Sequence, residues 1–183
     1  MAGSGNPSPA TACAERRRSA LLALVNRHCE AEAAQDLDAV LATVGPSPHF
    51  EIHPLGLILS TTDAVAAFYE RMLPMFAKYE PKEAESATFD GGDSGRFIGQ
   101  AGVVTRDHVT IRTAAGEDIS IRSLALFELD DDSGLLRGEQ IFLNHHAAGL
   151  FSSILGGDFL KVPGVSRSPS ATWPAGFDVK ENT

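Results

Sequence analysis

The sequence predicts a single α+β domain in which N-terminal helices are followed by a curved, mostly antiparallel sheet. Residues 14–41 carry apolar side chains at helical spacing, whereas residues 96–129 alternate between apolar and polar positions around a glycine-containing turn. Hydrophobic residues make up 43% of the 183 residues, which is enough for one core. Because three helices and one short strand come before a run of four strands, the pattern favours α+β.

The composition argues against several classes of function. A net charge of -9 disfavours binding to nucleic acid, and the basic cluster Arg16–Arg18 lies at a predicted helix start. No apolar run approaches the about 18 residues of a membrane span. Cys13 and Cys29 have no ligand-spaced neighbour, which predicts neither a disulfide nor a zinc site and fits a cytoplasmic protein. We find no phosphate loop or dinucleotide fingerprint, so the sequence predicts no cofactor and no metal.

Two helices are predicted after a disordered leader of residues 1–13. Residues 14–34 favour a helix whose inward stripe includes His28 together with Leu21, Leu24 and Val25. Asp36 can cap a second short helix that ends before Gly45.

A short strand with two ionisable side chains follows. Phe50 and Ile52 lie on its apolar face, while Glu51 and His53 project to the other face. Pro54 cannot donate to a sheet ladder, so the strand ends directly after His53.

A third helix and four strands complete the predicted domain. The helix begins at Thr61 or Thr62 and is expected to end near Leu73, because Pro74 forbids a regular continuation. The strands are predicted at residues 83–90, 96–113, 118–129 and 135–146. The second strand needs a bulge at Gly99 or Gly102, and residues 130–134 are predicted to form a solvated turn and not a calcium loop. A short helix is expected from Ala147.

The order of elements resembles the nuclear transport factor 2-like superfamily, particularly its ketosteroid isomerase and SnoaL-like polyketide cyclase branch. The similarity lies in a helix followed by Asp36-Leu37-Asp38, a short strand, His53-Pro54-Leu55-Gly56, and a helix carrying Phe68-Tyr69. It implies a cystatin-like curved sheet wrapped around the helices, with a cone-shaped apolar pocket, over residues 14–156. It also implies a homodimer. Residues 157–183 would form an extension that could pack on the body or cover the pocket.

The resemblance assigns candidate catalytic residues. His53 stands where the isomerase branch has an aspartate base before Pro-x-Gly, and a histidine can move protons at neutral pH. His28 stands where that branch has a tyrosine donor to the substrate oxygen. Either histidine could instead be structural, with His53 bonded at the pocket edge and His28 in the core. The branch's second donor aligns near Ala125, which makes the steroid-isomerase reaction itself doubtful.

The last predicted strand adds further candidates. The alternation of Gln140, Phe142, Asn144 and His146 predicts that Asn144 and Phe142 face the pocket. The cyclases and epoxide hydrolases of the superfamily have an aspartate at or within two residues of Asn144. Asparagine orients substrates but transfers no protons, so that work would pass to His146 or His53.

Four more residues are candidates for substrate binding. Arg112 and His108 alternate on one side of the long strand, which is either its solvent face or the pocket wall. Tyr69 and Phe68 lie on the third helix, and the Tyr69 hydroxyl is expected to reach the pocket mouth.

These residues lead to a functional hypothesis and an alternative. The hypothesis is a cofactor-independent isomerase, cyclase or dehydratase that acts by proton transfer on a hydrophobic small molecule of polyketide or terpenoid type. The alternative is a non-catalytic small-molecule-binding or dimerisation module with the same fold.

Overall fold

A computed structural model describes residues 8–78, 81–84, 96–98, 102–112 and 118–168 of the chain. The first seven residues, most of the predicted strand at residues 83–90 and the chain from residue 169 onward lie outside the described residues. The helices are α1 Pro9–Ala33, α2 Leu37–Leu41, α3 Thr62–Lys78 and α4 His145–Leu155, with a 3-10 helix at Gly157–Lys161. The strands are β1 Phe50–His53, β2 Leu57–Leu59, β3 Pro81–Ala84, β4 Arg96–Ile98, β5 Gly102–Arg112, β6 Asp118–Leu129, β7 Leu136–Leu143 and β8 Val165–Arg167.

The strands form one sheet in the order β3-β5-β6-β7-β1-β2-β8, with β4 also pairing with β5. The pairs are antiparallel except β1 with β7, which run parallel. The predicted α+β class and the mostly antiparallel sheet are therefore confirmed.

Side-chain caps fix the beginnings of the first two helices. Ser8 accepts a hydrogen bond from the Thr11 backbone, so α1 starts at Pro9, five residues before the predicted start. Residues 9–13 thus belong to a helix and not to the predicted leader. Asp36 caps α2 as predicted, accepting from the Ala39 amide at 3.0 Å.

The third helix continues past its predicted end. Thr61 caps α3, as one of the two expected caps, by accepting from the Ala64 amide at 3.1 Å. The helix then runs through Pro74 to Lys78, so the predicted end near Leu73 is wrong. Pro74 is exposed while Met75 is buried, at 7%. Burial of the residues around Pro74 offsets the roughly 3 kcal/mol that an interior proline costs.

The sheet contains strands that the sequence pattern did not separate. The predicted strand at residues 96–113 is two strands, because β4 pairs back antiparallel on β5, with Arg96 opposite Thr105 and Ile98 opposite Val103. Of the two glycines assigned to a bulge, Gly102 is the first residue of β5, and Gly99 lies outside the described residues. β2 was not predicted, whereas β6 spans the predicted residues.

The last strand is shorter than predicted because the next helix starts earlier. The Asn144 side chain accepts a hydrogen bond from the Ala147 amide at 3.0 Å, so Asn144 is the N-cap of α4. His145 and His146 therefore lie in the first turn of a helix and not on the predicted strand.

The chain after α4 packs on the domain as far as it is described. Phe159 is 1% exposed, and β8 pairs with β2. Arg71 of α3 holds this segment through two bonds to Asp158 at 3.0 Å each, a bond to the Leu155 carbonyl and a stack over Phe159.

Two apolar clusters form the core. The larger one joins α3, α4, β1, β2 and the 3-10 helix, and the smaller one packs α1 against β5, β6 and β7. Among the described residues, no helix is long and apolar enough to cross a membrane.

Candidate functional site

A polar network lies inside the protein where the two apolar clusters meet. His28 of α1 is fully buried, and its ring makes edge contacts with Phe127 of the smaller cluster and with Tyr69 of the larger one. Around it stand Thr43, which follows α2, Tyr69 of α3 and Glu139 of β7, all of them buried. Glu32, one helical turn after His28, completes the network and is its most exposed member, at 24% of its side chain.

The hydrogen bonds determine which ring nitrogen of His28 carries a proton. The Thr43 hydroxyl donates to the Val40 carbonyl at 2.6 Å. Its oxygen is therefore the acceptor in the 2.6 Å contact with His28 Nδ1. The Nδ1 atom is held as the donor, and Nε2 points at the Tyr69 hydroxyl 2.9 Å away.

The Tyr69 hydroxyl connects His28 to a carboxylate. It lies 3.2 Å from Glu139 Oε2, to which it can donate. If Nε2 carries a proton, it donates to the Tyr69 oxygen and Tyr69 donates to Glu139. If the proton is on Glu139 instead, Glu139 donates to Tyr69 and Tyr69 donates to Nε2. Both arrangements satisfy all three groups, so one proton can pass between Glu139 and His28 through Tyr69.

The environment holds Tyr69 in its protonated form. Burial, and then the negative charges of Glu32 and Glu139, raise the pKa of Tyr69 well above its ordinary value of 10.0. A hydroxyl held in this way remains a donor over the whole neutral pH range.

Tyr69 should make the fold sensitive to alkaline pH. In the unfolded chain its hydroxyl ionises near 10, whereas in the folded chain it stays protonated, so the stability present below pH 10 is lost as the pH rises further. We expect the unfolding free energy to fall more steeply between pH 9 and 11 in the wild type than in Tyr69→Phe. The difference between the two slopes should reach up to about 1.4 kcal/mol per pH unit. Urea denaturation at several pH values measures this difference. Equal losses in the two proteins would contradict it.

The structure places His53 on the opposite face of the sheet, away from this network. Its ring stacks on Phe142 with centroids 4.7 Å apart, and its side chain is 34% exposed. Glu51 bridges His53 at 3.1 Å and His49 at 2.8 Å. The bond from His49, above all, and then that from His53 lower the pKa of Glu51. A catalytic role for His53 stays a prediction, and the structure does not bring this residue to His28.

The inward face of β7 is the opposite of the predicted one. Glu139 and Ile141 pair with the buried Phe127 and Ala125 of β6, whereas Phe142 pairs with Leu124 and is 43% exposed. The prediction that Phe142 faces a pocket is therefore wrong. A one-residue bulge precedes this stretch, because Glu128 pairs with Gly138 but Leu129 pairs with Leu136, and it lets Leu136 and Glu139 lie on the same face.

The other predicted residues are dispersed. Asn144 bonds to the Ser120 carbonyl and caps α4, and His146 is exposed. Phe68 is 2% exposed and packs on Phe151 and Phe159. His108 and Arg112 belong to β5, but their side chains lie outside the described residues. Of the predicted site residues with described side chains, the structure brings His28 and Phe68 into contact with Tyr69, and His53 into contact with Phe142.

Glu32, Thr43 and Glu139 belong to the buried network but were not predicted from the sequence as site residues. Glu32 could have been found, because it stands four residues after His28 and so lies on the same helical face. Glu139 alternates with Ile141 and Leu143, which marks a carboxylate on an apolar strand face. Thr43 follows the end of α2 and carries no comparable signal.

A small cavity lies apart from the network. It has a volume of about 40 Å³, room for about one water molecule, and is lined by Leu55, Leu57, Leu155, Phe159 and Leu160 among others. It does not include His28, Tyr69 or Glu139.

Comparison with solved structures identifies the fold. BvnE pinacolase from Penicillium brevicompactum superposes with a TM-score of 0.56 at 15% identity, over 82% of this chain and 96% of that one. A candidate SnoaL-like polyketide cyclase from Shewanella denitrificans gives 0.53 at 14% identity, over 72% and 96%. An NTF2-like protein from Cytophaga hutchinsonii gives 0.52 at 11% identity, over 68% and 99%. The chain has the nuclear transport factor 2-like fold. The predicted resemblance and the cystatin-like curved sheet are thereby confirmed.

No protein family model matches the sequence, and no curated protein matches it significantly. At these identities the structural neighbours establish the nuclear transport factor 2-like fold alone.

Proposed function

We propose that the protein is an enzyme that transfers protons on a small, largely apolar molecule bearing a carbonyl or hydroxyl group. The observation that carries this proposal is the buried chain His28, Tyr69 and Glu139, in which one proton has two satisfied positions. Such a chain can accept a proton from carbon at one atom and return it at another, which isomerisation, cyclisation and dehydration all require. Structural neighbours described as a polyketide cyclase and a pinacolase support this reaction class.

The network suggests a role for each residue. Glu139 would act as the base, and Tyr69 would donate a hydrogen bond to the oxygen on which negative charge develops. His28, fixed at Nδ1 by Thr43, would hold or supply the second proton. A substrate would approach from Glu32, whose side chain is 24% exposed compared with 0% for His28 and 6% for Glu139.

The test measures proton exchange, which can be followed before the natural substrate is identified. The full-length protein is incubated in D₂O with a panel of cyclic β,γ-unsaturated ketones and β-hydroxyketones, and deuterium incorporation next to the carbonyl is followed by NMR. We expect Glu139→Gln and Tyr69→Phe each to slow exchange by about 100-fold or more, because the first removes one position of the proton and the second removes the hydroxyl through which the proton passes. The exposed His49→Gln is the control and should keep the wild-type rate.

The variant His53→Gln separates the buried network from the sequence-based prediction. If His53→Gln abolishes exchange while Glu139→Gln and Tyr69→Phe retain it, the catalytic base is on the outer face and the proposal is wrong. Circular dichroism of each variant shows whether a lost rate reflects lost folding.

The alternative is a non-catalytic binding or dimerisation module, and two observations favour it. In the described part of the chain, no buried side-chain nitrogen or oxygen lacks a hydrogen-bond partner. Leu124 and Phe142, paired on neighbouring strands, are 44% and 43% exposed beside His53, which would suit pairing with a second copy. This alternative predicts no exchange above the buffer rate with any compound of the panel.

A further inference from the structure

His28, Glu32 and Glu139 also have the composition and spacing of a metal site. His28 Nε2 lies 3.5 Å from Glu32 Oε1 and 4.0 Å from Glu139 Oε2, and one ligand atom from each residue lies within 4.8 Å of the others. At the largest allowed separation of 4.8 Å between the two carboxylate oxygens, the nearest equidistant point is about 2.4 Å from each of the three atoms, and a shorter separation brings it closer. Zinc bonds to histidine and carboxylate are about 2.0–2.2 Å long. Rotation of one glutamate would suffice to close this difference.

We propose that these three side chains bind one divalent transition-metal ion of the Zn²⁺ type. An imidazole with two carboxylates gives a borderline ligand set that suits zinc better than calcium or magnesium, which prefer oxygen alone. The three ligands would leave one position open, as in zinc sites that bind water or substrate. The Tyr69 hydroxyl, 2.9 Å from Nε2 and 3.2 Å from Glu139 Oε2, would stand beside that position.

The hydrogen bond at Nδ1 orients the His28 ring so that Nε2 can act as a metal ligand. Thr43 accepts from Nδ1 and itself donates to the Val40 carbonyl, so the lone pair of a neutral ring lies on Nε2 and faces both carboxylates. Metal-binding histidines are commonly oriented by such a bond to their second nitrogen. In the sequence, only the spacing of His28 and Glu32 and the alternation of Glu139 with Ile141 and Leu143 point to these ligands.

Charge provides an independent reason for a cation at this place. Glu139 is 6% exposed and Glu32 is 24% exposed, and both carboxylates face His28 Nε2. When the network holds no shared proton and the imidazole is neutral, the two carboxylates carry two negative charges into a mostly dry region, which is costly. A divalent ion at the proposed position neutralises both.

This inference goes beyond the proposed function and does not depend on it. An ion would occupy the Nε2 lone pair and the Glu139 carboxylate, which the proton chain uses, together with the Glu32 carboxylate. The metal-bound and proton-transferring states would therefore exclude each other, and the metal would act as an inhibitor of proton exchange.

Binding of Co²⁺ and Zn²⁺ to the full-length, metal-free protein tests the site directly. Co²⁺ is followed by its visible absorption, and Zn²⁺ by calorimetry. We expect one equivalent to bind, and Glu139→Gln and the partly exposed Glu32→Gln each to weaken binding by on the order of 100-fold. Thr43 contacts the proposed ligands only through its bond to His28 Nδ1. Thr43→Val should therefore weaken metal binding by about 10- to 100-fold.

The outer face supplies the matched control. His49 and His53 flank Glu51 there, so His49→Gln would remove metal binding if the ion sat on the surface. Loss of binding in His49→Gln, or unchanged binding in both Glu32→Gln and Glu139→Gln, would overturn the proposal. Absence of stoichiometric binding by the wild type would also overturn it, while leaving the proton-exchange result untouched.

Discussion

Gly138→Ala should destabilise the fold by more than about 3 kcal/mol, because β7 passes directly against the backbone of residue 49. A methyl group at Gly138 would overlap the His49 carbonyl oxygen and would lie 2.6 Å from its carbonyl carbon. The two segments are tied together there by the His49 amide, which donates to the Arg137 carbonyl at 2.8 Å. Neither neighbour is a flexible side chain, so relief requires strand separation, and the cost should exceed that of ordinary overpacking.

Gly134→Ala is the matched control for Gly138→Ala. Gly134 has φ +68°, but a methyl group there would meet nothing within 4 Å. Gly134→Ala should lower the unfolding free energy by only roughly 1–2 kcal/mol, which is the cost of a non-glycine residue in the left-handed conformation. Thermal unfolding distinguishes the two variants, since 1 kcal/mol corresponds to about 2–4 °C in a domain of this size. If Gly138→Ala unfolds within a few degrees of the wild type, β7 and His49 are not in the contact described.

The elements that could be predicted are those whose signals are local. Asp36 and Thr61 are short polar side chains directly before apolar periodic runs, and each caps a helix. The alternation of β6 ends at the turn that begins with Asp130, and the structure keeps those bounds. The stripe that includes His28 predicted its inward direction, and the residue is 0% exposed.

The elements that could not be predicted depend on pairing between distant strands. Gly99 and Gly102 suit both a bulge and a chain reversal, and only the antiparallel contact of β4 with β5 decides between them. The face that β7 turns inward likewise depends on its neighbour. Gln140 and Phe142 lie on one face and Glu139 and Ile141 on the other, so each face carries one polar and one apolar side chain. Only the pairing with the buried Phe127 and Ala125 of β6 places Glu139 inside.

The second large effect concerns His28. We expect His28→Leu to lower the unfolding free energy by about 3–5 kcal/mol, although leucine is apolar and fits a core. The loss arises because Tyr69 and Glu139 would remain buried without the ring that now bonds to Tyr69 at 2.9 Å. Urea denaturation measures it, and a loss below about 1 kcal/mol would show that the network is not closed around His28.

Replacing the buried members of the network together should reverse that loss. The triple variant His28→Leu, Tyr69→Phe, Glu139→Leu removes both buried groups that the single variant strands, while the Thr43 hydroxyl keeps its bond to the Val40 carbonyl at 2.6 Å. Of the other partners of His28, Glu32 stays, and its side chain is 24% exposed. We expect the triple variant to be within about 1 kcal/mol of the wild type or more stable, since buried ionic groups replaced together by apolar ones often cost nothing. A protein that folds equally well without the network has no structural need for it, which would leave chemistry or ion binding as its purpose. If the triple variant is instead less stable than His28→Leu alone, the network serves the fold, and the catalytic and metal proposals lose their common basis.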